Sequence, residues 1–250
     1  MFSLLLLSPP GREDYLIAEL AEENTTGIVE EDAGIRAFFD DDRDPARLLD
    51  RFAEFSPQLR PEPSVDWVQA TRDAWPPLLI GRRFFLVAAW SNEPAPDGRL
   101  RLEVHPGMAC GTGRHPATQL CLEALEEYIR PGDCVLDVGT GSGILSAAAA
   151  LLGAVLVVGC DVDHDAVKIA RERVRVPLFT GSADAVRSQW ADVVVANIDS
   201  ATIERLAPEL ARVRKPDSKL ILSGFPEGDL PEGFAARKIL QREEWRCLIC

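Results

Sequence analysis

Val135-Leu136-Asp137-Val138-Gly139-Thr140-Gly141-Ser142-Gly143 reads as an apolar strand that ends in an acid, turns through three glycines and enters a helix-forming segment, Ile144 to Leu152. A second apolar run, Val155 to Cys160, then ends at Asp161, 22 positions after Gly139. Strand, glycine turn, helix, strand and acid in that order form the front half of a Rossmann-like nucleotide site. Glycines let the backbone approach a ligand closely, and a helix N-terminus offers free N–H groups.

The spacing narrows the ligand. The dinucleotide pattern G-x-G-x-x-G needs a glycine at position 144, where this chain has Ile144. Asp137, just before the turn, is also an awkward neighbour for a pyrophosphate. S-Adenosylmethionine carries a sulfonium and an amino group and no phosphate, so nearby carboxylates suit it. Asp161 is placed to accept hydrogen bonds from the two ribose hydroxyls, as acids at the end of a second strand do. The expected cofactor is therefore S-adenosylmethionine, with Asp137, Gly139, Gly141, Gly143 and Asp161 around it.

At 250 residues the chain can hold one large domain and a small one, and its 46% hydrophobic and 27% charged content is that of an ordinary globular protein. A net charge of −13 argues against duplex nucleic acid as a partner, because that requires a basic face. Residues 1–60 hold fourteen acids and six arginines, a net of −8, which would draw in a basic partner. The apolar start, Met1 to Leu7, has no basic flank and is too short to cross a bilayer. Six cysteines show no paired metal-ligand spacing, and Cys247 and Cys250 form a lone C-x-x-C in an apolar run, read as reduced and structural. No metal is expected, and the chain reads as cytoplasmic.

Residues 1–56 predict a small α+β unit: a strand at Phe2–Leu7, a helix burying Leu16, Ile17, Leu20 and Ala21, strands at 27–29 and 35–39, and a helix over 45–55. Pro57, Pro61 and Pro63 mark a linker through residue 78, with a helix near Trp67–Trp75. From 79 to 250 the pattern opens on strands at 83–90 and 100–104, paired across the turn-like Ser91–Gly98. A loop over 105–118 and an amphipathic helix through Cys121, Leu122, Leu125 and Tyr128 follow. Strands at 134–138, 156–161, 176–179, 193–198 and 220–223 then alternate with helices near 143–152, 164–174 and 202–213. Such alternation predicts a doubly wound parallel sheet, with a closing strand pair at the C-terminus.

Three segments resemble the PrmA family, S-adenosylmethionine-dependent methyltransferases that modify large-subunit ribosomal protein eleven. They are Asp66-Trp67 through Ile80-Gly81-Arg82-Arg83, the loop Pro106-Gly107-Met108-Ala109-Cys110-Gly111-Thr112-Gly113-Arg114-His115-Pro116-Ala117-Thr118, and Val193-Val194-Val195-Ala196-Asn197-Ile198. The loop is similar to a family signature written F-G-T-G-T-H-P-T-T, and the last segment to a strand end written V-V-A-N-I-L. The resemblance covers nearly all of 66–250 and is weaker over 1–56, which it makes a substrate-recognition domain. It implies that Thr118, Gly139, Asp161 and Asn197 contact S-adenosylmethionine, and that the substrate is an amine, a lysine side chain or an N-terminal α-amine, on a basic ribosomal protein.

Physical chemistry reaches the same residues by its own route. Thr118 starts a helix, where its hydroxyl can cap or meet a carboxylate, and Asn197 ends the fourth strand at the carboxyl edge, where open α/β sheets bind ligands. Departures from the family pattern are Arg114 and Ala117 for threonines, Cys110 for phenylalanine, shortened stretches after Arg171 and Gly224, and Asp199 for an apolar residue. Asp199 can orient the incoming amine beside Asn197, or it can cap the helix that begins near Ala201. The trimmed rim leaves two alternatives open: methylation of another protein or a small molecule, and a non-catalytic S-adenosylmethionine-binding regulatory module.

Overall fold

The computed structural model describes residues 1–7, 12–31, 34–62, 75–106 and 112–250. The chain divides into two compact units, Met1–Ala74 and Trp75–Cys250. In the first, strands β1 (Phe2–Leu6), β2 (Gly27–Glu31), β3 (Gly34–Phe39) and β4 (Gln58–Pro61) form an antiparallel sheet in the order β2-β3-β1-β4. Helices α1 (Glu13–Glu22) and α2 (Pro45–Arg51) accompany it. Leu4, Leu6, Leu16, Leu20, Phe39 and Phe52 make the core; of the helix face expected to be buried, Leu16 and Leu20 belong to it, Ile17 packs against it and Ala21 is exposed, because the helix presents only its Leu16–Leu20 edge to the sheet.

β4 differs from expectation. The proline-marked segment read as the start of a linker is an edge strand, with Leu4 opposite Leu59 and Phe2 opposite Pro61. Prolines lie at the margin of this strand, on the sheet edge, where a missing N–H removes no ladder bond. The helix expected near Trp67–Trp75 falls, except for Trp75, outside the described residues.

The second unit begins with β5 (Leu78–Ile80), β6 (Phe84–Ala88) and β7 (Leu100–Val104). β6 and β7 pair as expected, but in parallel, with Phe84 opposite Leu100, so 89–99 is a return loop and not a hairpin turn. Next come α3 (Pro116–Tyr128), β8 (Cys134–Val138), α4 (Ile144–Leu151), β9 (Leu156–Asp161), α5 (His164–Arg173), β10 (Leu178–Thr180), β11 (Ala191–Asn197) and α6 (Ser200–Val213). The chain ends with β12 (Arg214–Pro226), β13 (Lys238–Arg242) and β14 (Trp245–Ile249). The seven-stranded sheet runs β10-β9-β8-β11-β12-β14-β13, parallel except where β14 opposes both of its neighbours.

This is the doubly wound, Rossmann-like sheet expected from the strand–helix alternation. Its central strands are buried on both faces, so they read as continuous apolar runs. Val135, Val157, Val193, Val195 and Ile221 pack toward one face with residues of α3 and α4. Leu136, Val138, Val194, Ala196, Leu220 and Leu222 pack toward the other with Ile203, Leu210 and Val213 of α6. Between β12 and β13 the described chain forms a short 3-10 turn, Glu227–Asp229, and irregular backbone, in keeping with the shortening read after Gly224.

Candidate active site

The glycine turn sits where β8 and β9 end side by side. Gly139 and Thr140 both donate backbone N–H bonds to the Cys160 carbonyl, at 2.8 and 2.9 Å, which folds the turn over the tip of β9. Gly139 has φ +73, and a Cβ there would stand 2.4 Å from Ile198 Cγ2, so only glycine fits without displacing that side chain. Gly143, at φ +82, N-caps α4.

Two residues expected beside the ligand do not line the cavity. Asp137 is 1% exposed and does not line the cavity described below. Its Oδ2 accepts from Thr140 Oγ1 at 2.8 Å and Ser146 Oγ at 2.7 Å, binding the turn to the first turn of α4. Burial pushes its carboxyl above the ordinary carboxylate value, against the pull of those hydrogen bonds, and Oδ1 is buried without a hydrogen-bond partner. Gly143 also lies off the cavity, because its α-carbon faces Val174 and Ala170. An acid and a glycine at fixed sequence spacing carry the same signature whether they meet a ligand or shape the turn that does.

A cavity of about 500 Å³ opens at the carboxyl ends of β8 and β11. Thr118, Gly139, Gly141, Asn197 and Asp199 line it, as anticipated, together with Thr112, His115, Thr140, Ile144, Leu145, Ile198, Gly224 and Trp245. Its size falls within the range of small-molecule sites. Asp161 is not among the lining residues but is bonded to one of them: Oδ2 accepts from the Gly141 N–H at 2.9 Å and Oδ1 from the Asp163 N–H at 3.0 Å. The carboxylate thereby fixes a cavity-lining residue and retains lone pairs for a further donor.

Thr118 lies in the first turn of α3 and does not cap it. The cap is His115, whose Nδ1 accepts from the Ala117 N–H at 3.3 Å, with Pro116 in the first turn. The His115 ring meets the Trp245 ring edge-on at 4.3 Å. Thr118 Oγ1 instead accepts from Asn197 Nδ2 at 3.1 Å, joining the start of α3 to the end of β11 across 79 residues. One amide hydrogen of Asn197 is thus engaged, and its side-chain carbonyl is an acceptor at the cavity wall.

Asp199 fulfils the cap reading. Its Oδ1 accepts from the Thr202 N–H at 2.8 Å at the N-terminus of α6, and this bond holds the carboxyl below the ordinary value. An exposed carboxyl with a lowered pKa adds stability above the unfolded value of 3.8, and that contribution is lost as pH falls through the folded value. Asp199→Leu is therefore expected to cost about 1 kcal/mol at neutral pH. In urea titrations its deficit should shrink as pH drops below 3.8; a deficit unchanged into strong acid would exclude the cap as its source.

Trp245, Gly224 and Ile198 went unrecognised as site residues in the sequence. Trp245 reaches the cavity only because β14 pairs antiparallel with β12, placing Pro226 opposite it. No local periodicity reports that. The one readable signal was an aromatic residue among acids before a terminal apolar run.

The family described as ribosomal protein L11 methyltransferase (PrmA) matches residues 10–250. The chain belongs to that family. It is 40% identical over 210 residues to a ribosomal protein L11 methyltransferase of Cupriavidus necator, covering 80% of this chain and 70% of that one. Its identity to the corresponding Burkholderia multivorans protein is 39% over 229 residues, covering 85% and 76%. Among solved structures, ribosomal protein L11 methylase from Lactobacillus delbrueckii subsp. bulgaricus superposes with a TM-score of 0.63 at 28% identity, covering 69% of this chain and 96% of that one. As a PrmA-family member the chain is an S-adenosylmethionine-dependent methyltransferase.

The cavity suits that donor. Among its described lining residues there is one carboxylate, Asp199, and no lysine or arginine, so a cationic ligand there would meet no lysine or arginine charge. Among the described residues no helix is long and apolar enough to cross a membrane.

Proposed function

We propose that this protein methylates amines of ribosomal protein L11, the substrate named for its relatives, on lysine side chains or on the N-terminal α-amine. The observation that carries the reading is the Thr118–Asn197 pair on the wall of a cavity free of cationic side chains among its described lining residues. The net charge of −8 over residues 1–60 supports a basic partner, with the first unit as its docking domain, and argues against direct nucleic-acid contact.

S-Adenosylmethionine supplies an electrophilic methyl group, which the acceptor nitrogen takes by in-line displacement at carbon. In this reading the backbone at Gly139 and Gly141 holds the donor closely, and Asp161 accepts from its ribose hydroxyls. The acceptor must arrive as a free amine, against an ordinary lysine pKa of about 10.4. Ile198, Leu145 and Trp245 give the cavity apolar walls, and partial desolvation there favours the neutral amine. The Asn197 side-chain carbonyl then accepts an amine N–H and turns the nitrogen lone pair toward the methyl group. With its pKa lowered, Asp199 is an acceptor and not a base at neutral pH, so it orients the amine without taking its proton. Asp199→Asn, which keeps a capping oxygen, isolates that role from the cap.

The deciding experiment is transfer of radiolabelled methyl from S-adenosylmethionine into ribosome-containing and ribosome-depleted lysates. Label is expected in one large-subunit protein of the size of L11 and in the ribosome-containing sample. Label in another protein or in a small molecule would displace the substrate assignment.

A further inference from the structure

Arg114 is the one cationic side chain in the described part of the signature loop, and it stands where the family pattern has a threonine. A cation beside a sulfonium would oppose donor binding, yet Arg114 does not line the cavity, although His115 and Thr112 on either side do. Its guanidinium lies over the Trp75 ring, 4.7 Å from the centroid, and Nη2 donates to the Pro76 carbonyl. Nε is buried with no hydrogen-bond partner, consistent with an edge covered by neighbouring side chains. Trp75, at the start of the second unit, packs against the same core as Leu86, Ile144 and Leu145.

The main chain around Arg114 is restrained as well. Gly113 has φ +77, and a Cβ there would come 2.7 Å from Ile144 Cδ1 and 2.9 Å from Leu86 Cδ2, so the backbone is seated directly on the core. The Arg114 carbonyl accepts from Gln119 Nε2 at 2.7 Å, tying it to the first turn of α3. Thr112, His115 and Thr118 therefore enter the cavity from a segment held from below by Gly113, from α3 by Gln119, and from outside by Arg114.

We propose that Arg114 is a positioning residue for the methyl donor. By gripping Trp75 and Pro76 it holds Thr112–Thr118 in its binding conformation and keeps its own charge off the sulfonium. The proposal rests on reading the cavity as the donor site. A stacked guanidinium with one carbonyl bond also limits substitution: lysine retains charge and reach but loses the planar stack.

The test uses the full chain and its Arg114→Thr, Arg114→Lys, Trp75→Leu and Trp75→Phe variants, with Asp161→Ala as a site control. Calorimetric titration with S-adenosylhomocysteine is expected to show Arg114→Thr weakened about 5–10-fold, the worth of one partly exposed cation–π contact. The KM for S-adenosylmethionine should rise by more than kcat falls. Trp75→Leu should match it, Trp75→Phe should recover most of the loss, Arg114→Lys only part. The double variant Arg114→Thr/Trp75→Leu should be no weaker than the poorer single variant. Wild-type affinity in Arg114→Thr, with Asp161→Ala weakened, overturns the proposal alone. Wild-type affinity in Asp161→Ala overturns the site reading and the proposal with it.

Discussion

Gly224→Ala is expected to lower the unfolding free energy by about 2–6 kcal/mol, a large part of the total for a domain of ordinary stability. Gly224 sits at φ +105, where an L side chain is strained, at the irregularity between Ser223 and Phe225 of β12. A Cβ there would lie 2.4 Å from the Ile198 carbonyl oxygen and 2.7 Å from its nitrogen. Both are backbone atoms, and Ile198 N–H is already bonded to the Ser223 carbonyl at 2.9 Å, so neither strand can step aside cheaply. Strain of about 1–3 kcal/mol and overpacking of about 1–3 kcal/mol then add. Urea unfolding should show a lowered midpoint with an unchanged m-value. A midpoint equal to wild type would mean that the close approach of β12 to the end of β11 is not a constraint on this fold. Because Gly224 and Ile198 both line the cavity, the folded fraction of the variant should also bind S-adenosylhomocysteine poorly.

Asp161→Ala is expected to weaken donor binding by about 10²-fold and also to lower thermal stability, since it removes charge-assisted acceptors worth about 1.5–3 kcal/mol each, two of which hold the Gly141 and Asp163 N–H groups. The loss has two parts: the bonds proposed to the ribose hydroxyls, and release of the Gly141 N–H from Oδ2 at 2.9 Å, which loosens the glycine turn. Asp161→Asn keeps one oxygen for Gly141 or a hydroxyl, but not the charge, and should fall between the two. Calorimetry with S-adenosylhomocysteine separates them, and equal affinity in all three proteins would remove Asp161 from the site. Asp137→Asn should behave oppositely. Burial raises the Asp137 carboxyl, so ionising it costs stability, and that cost grows as pH rises through its folded pKa.

Much of the second unit was legible because its signals are local. A parallel strand buried on both faces must be an apolar run, and a positive-φ turn with no room for a Cβ calls for glycine, so β8, β9, β11 and the turn at Gly139 are written in consecutive residues. The stripe through Ile203 and Leu210 placed α6 for the same reason. Legibility failed where a residue's partner lies far along the chain. Pro57 and Pro61 are punctuation in sequence, but the pairing of β4 with β1 across more than fifty positions makes a strand of the residues between. A turn-like composition over 91–98 describes a loop correctly without saying whether its flanking strands run parallel or antiparallel.

The site divides along the same line. By itself the sequence determined the fold class, the S-adenosylmethionine-type turn, and the family, through the signature loop and the Asn197 strand end. Tertiary structure alone decided which of those residues meet the cavity. It buried Asp137, turned Gly143 toward Val174 and Ala170, left Asp161 bonded to Gly141 and off the lining, drew Thr118 onto Asn197, made His115 the helix cap, and brought in Trp245 and Gly224 from the C-terminal strands. It also turned Arg114 away from the donor and onto Trp75. The reason is physical: backbone conformation and hydrophobic period are imposed by neighbours a few residues away, whereas burial and hydrogen-bond partnership are imposed by whatever the fold packs against a side chain.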